Sequence, residues 1–318
     1  MPQQHKLIKI FNLEFEIIIV TIKDLLKKYQ GEIDRLDLEV LLAHSLGKTR
    51  EFVLIYPEKE LTSYQSSVIS KLLKRRISGE PIAHLTKHKE FYGLDFIVNK
   101  HTLVPRPETE MLVENVLSHV ISHQSLKKVS IIDIGTGSGC IITSIANTLE
   151  NNKKQSTLDA KCIYCAIDIS KEALKIAKKN ATIHKVDKKI KFLPGNLLTP
   201  LIENYKLENK DSKIIIIANL PYLSKEIYES APIDVKKYEP KSALYSPEQG
   251  LQHYRKLLLQ IRENLASHST LHISCFLEIS PEQKQQITKV ITTIFPLAQI
   301  EFKKDLAGKW RVCRIEIN

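Results

Sequence analysis

Ile131-Ile132-Asp133-Ile134-Gly135-Thr136-Gly137-Ser138-Gly139 is the stretch on which the reading of the fold turns. A short apolar strand, Val129 to Ile134, runs straight into three alternate glycines, and Ile141 to Leu149 follows with helical spacing. Downstream the same alternation recurs. Cys162 to Ile167 reads as a strand, and Lys171 to Ile183 as a helix with Ala173, Leu174, Ala177 and Ala181 on one face. Strands are expected at Ile190 to Leu193, Ile214 to Ala218 and Leu271 to Ile279, with a long helix from Leu251 to Leu265. Strands separated by helices of this length imply a parallel sheet covered on both faces. Ile300 to Phe302 and Arg311 to Ile317 lie too close for a helical crossover, so they are expected to pair antiparallel. An α/β doubly wound sheet ending in an antiparallel hairpin is the predicted architecture.

Upstream of residue 108 the pattern changes. Ile22, Leu25 and Leu26, then Leu36 to Leu46, then Ser63 to Ile77 read as short half-apolar helices, punctuated by Gly47, Gly79 and Pro81. Such helices must pack on one another as a small bundle. Glu90 to Val98 alternates around Gly93 and reads as a β-hairpin at the domain boundary. The length of 318 residues suits about two domains of ~150. The expected division is an N-terminal extension over 1–18, either disordered or divergent, a helical domain over 19–82, a hairpin linker over 83–100, and an α/β domain over 101–318.

The chemistry is expected where strands end. Alternate glycines let the backbone turn sharply and approach a ligand that a side chain would exclude. The spacing is G-x-G-x-G and not the G-x-G-x-x-G of dinucleotide sites, which weakens a nicotinamide or flavin reading. Asp168 closes the second strand, where an acid can accept from both hydroxyls of a ribose. A glycine loop and second-strand acid without a phosphate fingerprint suit a ribose-bearing ligand that lacks a pyrophosphate, and S-adenosylmethionine fits. The fourth strand ends Ala218-Asn219-Leu220-Pro221-Tyr222. Pro221 holds Leu220 extended, which can turn its carbonyl toward the pocket, and the Asn219 amide oxygen is a second acceptor. Two acceptors aimed at one point suit a planar NH₂ group, against which Tyr222 could pack.

Composition narrows the setting. The chain is 43% hydrophobic and 26% charged, enough to bury a core. It shows no apolar run of ~20 residues, no secretory leader is expected, and its five cysteines are too few and odd in number for a disulfide framework. A cytoplasmic protein with no membrane role is expected. Lys plus Arg exceed Asp plus Glu by 47 to 36, a net charge of +11. The lysines are scattered without interleaved aromatics, so nucleic acid is not required, although the charge is compatible with ribosome-associated partners. No metal site is expected: Cys162 and Cys165 lack a second pair, and His84 and His88 lack a helix and a following Glu.

The glycine loop, Asp168 and Asn219-Leu220-Pro221-Tyr222 resemble the S-adenosylmethionine-dependent methyltransferases that act on exocyclic or amide nitrogens. Glu80-Pro81-Ile82-Ala83-His84, Glu90 to Leu94, and above all Thr102-Leu103-Val104-Pro105-Arg106-Pro107-Glu108-Thr109-Glu110 resemble one branch, the peptide chain release factor glutamine methyltransferases (HemK/PrmC). Tyr238-Glu239-Pro240, Gly250-Leu251, Leu277-Glu278-Ile279 with Gln283, and Asp305-Leu306 continue the likeness, which covers roughly residues 20 to 318. The resemblance implies a Rossmann-like seven-stranded sheet with its last strand antiparallel, preceded by a helical substrate-positioning domain. It implies methylation of the glutamine in the GGQ motif of a peptide chain release factor. The chain is expected to act as a monomer. By the same resemblance Asp133, Gly135, Thr136, Gly137, Ser138, Gly139, Asp168, Asn196, Leu197 and Asn219 would hold the cofactor. Asn219, Leu220, Pro221 and Tyr222 would act on the substrate, with Arg106 and Glu110 in the segment that covers the pocket. Leu220 stands where the family commonly has proline, yet its backbone carbonyl is the expected contact. Asn196 stands near the usual position of an acid, and its side-chain oxygen could accept from an adenine amino group. The rival enzyme is an adenine methyltransferase on DNA or RNA, since Asn-Leu-Pro-Tyr would hold that amino group equally well. A further rival is a partner-binding protein that keeps the fold without the catalysis.

Overall fold

The computed structural model describes residues 5–10, 13–18, 20–122, 128–151, 161–204, 212–266 and 272–317. The chain divides into two compact units, Met1–Lys87 and His88–Asn318.

In the first unit, β1 (His5–Ile10) pairs antiparallel with β2 (Leu13–Ile18), so the extension over 1–18 carries strands where disorder or a divergent start was expected. A short pair, β3 (Val20–Thr21) with β4 (Glu60–Leu61), brackets the first helices. Helices span Ile22–Lys28, Arg35–Leu46, Arg50–Ile55, Ser63–Ile77 and Ile82–Thr86. Their ends are written locally: Thr21 with Asp24 and Thr62 with Gln65 form capping boxes, and Gly47 closes its helix in the left-handed conformation. Helices this short are marginal alone: three fall well below the ~12–15 residues at which a helix begins to support itself, and the other two, of 12 and 15 residues, only reach it. Burial of Ile22, Leu38, Leu41, Leu42, Val53, Ile69 and Leu73 in one cluster, at ~1.5–3 kcal/mol per large side chain, holds them together. Arg76 adds an ion pair to Asp37 at 2.7 Å across two of them.

The second unit begins with β5 (His88–Phe91) and β6 (Leu94–Ile97), joined by Tyr92 and Gly93, both at positive φ as a two-residue hairpin turn requires. Expected to be a linker, this hairpin is part of the α/β unit. Phe91 and Phe96 are buried in its core, and the Asn180 side chain satisfies the backbone of Ile97 at both N–H (2.8 Å) and C=O (3.0 Å). The main sheet contains β7 (Lys128–Ile134), β8 (Lys161–Asp168), β9 (Ile190–Pro194), β10 (Ser212–Ala218), β11 (His272–Glu278), β12 (Gln299–Lys304) and β13 (Trp310–Ile317). Their order is β12-β13-β11-β10-β7-β8-β9. All neighbours from β11 to β9 are parallel, and β13 runs antiparallel between β11 and β12. The last strand thus closes a hairpin with β12 by inserting beside β11.

Strand periodicity sorts the core into two layers. Ile132, Ile134, Ile214 and Ile216 face helices Gln252–Asn264 and Lys284–Ile294, while Val129, Ile131, Ile215 and Ile217 face helices Glu110–Ser122 and Cys140–Asn151. Helix Lys284–Ile294 goes unremarked in the sequence reading, although Ile287, Ile291 and Ile294 carry its i, i+4, i+7 signal and are buried. The chain leaves β7 toward β8 on one side and reaches β10 on the other. Between β7 and β10 the order reverses, and the crevice beyond their carboxyl ends is where such sheets bind ligands. Among the described residues no helix is long and apolar enough to cross a membrane, and no group of three or more His, Cys, Asp or Glu could hold a metal ion.

Candidate active site

A cavity of about 300 Å³ opens at this crevice. Its walls include Gly135, Thr136, Gly137 and Ser138 after β7, Asp168 to Ser170 after β8, Gly195 to Leu197 after β9, and Asn219 to Pro221 after β10. Four separate strand ends therefore bring the expected groups to one place.

The loop after β7 is fastened to β8. Ile167 C=O accepts from Gly135 N–H (2.8 Å) and Thr136 N–H (3.0 Å). Asp168 Oδ2 accepts from Gly137 N–H and Oδ1 from Ser170 N–H, both at 2.8 Å. A carboxylate offers about four lone-pair sites, so each oxygen keeps one for a ligand. Burial raises the Asp168 pKa, against the pull of the Ser170 and Gly137 N–H groups. Gly139 has a different use from the one expected. A Cβ there would stand 2.9 Å from Ala177 Cβ, so this glycine lets the loop press on helix Lys171–Ile183 and is not a cavity wall.

Three more expected contacts lie elsewhere. Asp133 is fully buried beneath the loop, where Oδ2 accepts from the Thr136 hydroxyl at 2.6 Å. Burial pushes its pKa up to about 7, opposed by the Thr136 hydrogen bond. Asp133 shapes the loop from below and does not line the cavity. Glu110 turns away and accepts from Tyr92 N–H (2.9 Å), pinning the β5–β6 hairpin. Tyr222 also leaves the cavity: its hydroxyl donates to Glu278 Oε1 (3.4 Å), and its carbonyl accepts from Gln283 Nε2 (3.0 Å). The physical reason is crowding behind the loop. Gly250, at φ +87°, lies so close that a Cβ would fall 1.9 Å from the Tyr222 carbonyl oxygen. Tyr222 therefore braces the Asn219–Pro221 turn from behind.

Arg106 does line the cavity, paired to buried Glu239 at 2.5 Å, and Glu239 also accepts from Val104 N–H (3.1 Å). This bridge ties the Pro105–Glu110 segment to the one that supplies Pro240, Ser242 and Ala243 to the wall. His101, Thr102 and His253 are wall residues that sequence reasoning did not single out as site groups. Thr102 sits in the quoted Thr102–Glu110 segment and could have been found from it. His253 carries no such signal and arrives only through the packing of its helix.

The Asn219 amide is oriented: Nδ2 donates to Thr109 Oγ1 at 3.2 Å, which leaves Oδ1 as its acceptor. Leu220 N–H donates to Tyr254 Oη (3.3 Å), and the single Tyr254 hydroxyl proton goes by a short bond to Glu278 C=O. The Leu220 carbonyl lies 3.4 Å from the same hydroxyl and keeps lone pairs for another donor. Leu220→Ala is expected to preserve turnover within a few-fold. Leu220→Pro is expected to cost slightly more, since it deletes the long N–H bond to Tyr254. Methyl-transfer rates of the two variants check this, and loss of activity in Leu220→Ala would assign the role to the side chain.

A glycine loop, a buried acid with free lone pairs at the end of the next strand and an oriented acceptor at the switch point define an S-adenosylmethionine-dependent methyltransferase. Residues 18–86 match the PrmC N-terminal domain and residues 125–292 a methyltransferase domain. The chain is 32% identical to the release factor glutamine methyltransferase of Bacillus anthracis, over 88% of this chain and 91% of that one. It is 34% identical to that of Dictyoglomus turgidum, over 94% and 96%. The chain belongs to the release factor glutamine methyltransferase family. It is also 32% identical to a bifunctional methyltransferase of Rickettsia bellii, of whose length it spans 46%. Among solved structures, the hMettl16 catalytic domain in complex with a MAT2A 3′UTR hairpin aligns over 74% of this chain and 79% of that one, with TM-score 0.50 and 16% identity. That likeness shows the fold alone. The cofactor is S-adenosylmethionine, and the cavity fits it: Asp168 retains free lone pairs beside a glycine loop with no side chain in the way.

Proposed function

We propose that this enzyme methylates the side-chain amide nitrogen of the glutamine in the GGQ motif of peptide chain release factors. The observation that carries the reading is the Asn219 amide, whose NH₂ is committed to Thr109 and whose oxygen is thereby an acceptor beside the glycine loop. S-adenosylmethionine supplies an electrophilic methyl group on a sulfonium. Asp168 holds the ribose, Gly135 to Ser138 give the rest of the cofactor close backbone approach, and Asn196 and Leu197 flank the adenine. Asn219 Oδ1 and the Leu220 carbonyl accept the two N–H bonds of the glutamine amide. An amide nitrogen is a poor nucleophile, and two acceptors both orient it in line and stabilise the positive charge that grows on it. The proton then leaves to solvent, and no side chain is assigned as a base. Pro221 stiffens the turn and Tyr222 braces it. Arg106 belongs to the wall that meets the release factor, whereas Glu110 supports that wall through the hairpin. One chain supplies every group named, which suits a monomer acting in the cytoplasm.

Incubation with labelled cofactor, a release factor and total RNA tests the reading. Label on the GGQ glutamine is expected, and label on RNA would overturn it. The helical unit is assigned to positioning the protein substrate, because every cofactor group lies in the other unit. Residues 88–318 are therefore expected to bind cofactor normally in calorimetry yet methylate release factor at least tenfold more slowly than the full chain, a rough figure for lost substrate positioning. Full activity of the shortened chain would remove that role.

A further inference from the structure

We propose that the turn joining β12 to β13 is a docking element for the protein substrate, in which Leu306 enters an apolar recess with an acidic rim on the release factor. This rests on the methyl-transfer reading above and adds to it a surface outside the cavity.

The turn inverts the usual arrangement of a surface loop, in which polar side chains face water. Its charged side chains are the covered ones, Asp305 at 11% exposure and Arg311 at 15%. Leu306, next to Asp305, is fully exposed. The backbone that carries it is held. Asp305 N–H donates to Lys309 C=O (2.8 Å), Gly308 N–H donates to Asp305 C=O (2.9 Å), and Lys309 N–H donates to Asp305 Oδ1 (2.9 Å). Gly308 takes the left-handed conformation, φ +76°, that closes the turn. A leucine presented in this way costs little further ordering of the backbone when a partner covers it.

Position gives the leucine its use. Arg311 Nε donates to Asp305 Oδ2 at 2.8 Å, and the same guanidinium reaches Glu108 Oε1 at 3.7 Å. Glu108 lies between Arg106 and Thr109, which both line the cavity. One arginine thus ties the turn to the segment that forms the cavity wall. A protein whose glutamine enters the cavity brings the surface around that glutamine against the turn. Leu297 is almost as exposed, but it precedes β12, at the end of that strand away from the turn, and provides an internal control.

The chemistry of the turn selects a protein as the occupant. An aliphatic side chain has no charge for a phosphate and no flat face on which a base could stack, the two contacts that dominate nucleic-acid binding. It suits an apolar recess, the central feature of a protein–protein contact. Lys304 and Lys309 flank the turn and are exposed, so the complementary rim is acidic.

The test uses the full chain, S-adenosylmethionine and intact release factor. Leu306→Ser is expected to raise KM for the release factor about tenfold or more, the scale of one leucine side chain lost from an apolar contact. Its kcat and cofactor affinity are expected to stay within about twofold of wild type. Leu306→Met keeps an apolar side chain of similar volume and is expected to stay within about threefold of wild type. Lys309→Glu is expected to raise KM several-fold, and Leu297→Ser to leave it unchanged. An unchanged KM in Leu306→Ser, an equal rise in Leu297→Ser, or a loss confined to kcat would overturn the proposal. An unchanged or lowered KM in Lys309→Glu would overturn the acidic rim. If wild type sediments as a dimer and Leu306→Ser as a monomer, the occupant is a second copy of this chain and the proposal falls. Release factor labelled by wild type with a KM that Leu306→Ser does not move leaves the functional reading standing alone. Label on RNA and none on the release factor removes that reading and the docking partner together.

Discussion

Asn219→Ala is expected to lower turnover by ~10²–10³-fold, the scale of removing one acceptor or donor aimed at a reacting centre. S-adenosylmethionine affinity should stay within about twofold, since the groups proposed to hold the ribose lie on β8 and the glycine loop. The loss should therefore fall on kcat. Truncation removes Oδ1, leaves the Thr109 hydroxyl without its 3.2 Å partner, and opens space for water beside the substrate amide. Asn219→Asp is an informative companion. A carboxylate would supply an acceptor to the cavity but meet the lone pairs of Thr109 where an NH₂ now donates, so recovery should be partial. Single-turnover methyl transfer with parallel calorimetry separates these effects. Weakened cofactor binding with an unchanged chemical step would move Asn219 from the reaction to the cofactor.

Asp168→Ala should weaken cofactor binding by ~10²–10⁴-fold, corresponding to two charge-assisted hydrogen bonds of ~1.5–3 kcal/mol each. The structure adds a second cost. Gly137 N–H and Ser170 N–H lose their acceptor, so the glycine loop loses its fastening to β8 as well. Asp168→Asn should recover little, because its NH₂ would confront one of those N–H groups. The pH dependence has a definite sign. The Asp168 pKa is raised by burial, so affinity should fall as pH drops through that raised value, where protonation turns one acceptor oxygen into a donor. Calorimetric titrations across acid to neutral pH measure it, and pH-independent affinity would remove the carboxylate from the ribose. A cooperative melt retained in Asp168→Ala shows that the effect is on the site and not on the fold.

Much of this was legible in residue order because it is local. Strand, glycine turn and helix follow one another from Lys128 to Asn151, and period-2 and period-3.6 patterns need only neighbouring residues to be read. The positions of Asp168 and Asn219 at strand ends follow from the same patterns, and a parallel sheet brings strand ends together whatever its exact order. The hairpin turn at Tyr92-Gly93 and the capping boxes at Thr21 and Thr62 are equally short-range.

Directions of side chains are a different matter. Asp133 and Tyr222 stand within motifs that suggest ligand contact, yet one goes under the loop to Thr136 and the other goes behind it to Glu278. Glu110 goes to a hairpin 18 residues earlier, and Arg106 meets an acid 133 residues later. The insertion of β13 between β11 and β12, and the Asn219–Thr109 hydrogen bond, likewise join residues that no local period relates. The sequence by itself determined the class of fold, the loop and the two polar anchors, because backbone conformation and apolar periodicity are properties of adjacent residues. Only the tertiary structure decided which polar groups reach the cavity and which serve as its supports. A buried donor or acceptor takes whichever partner the packing brings within about 3 Å, and that partner is chosen by the whole chain.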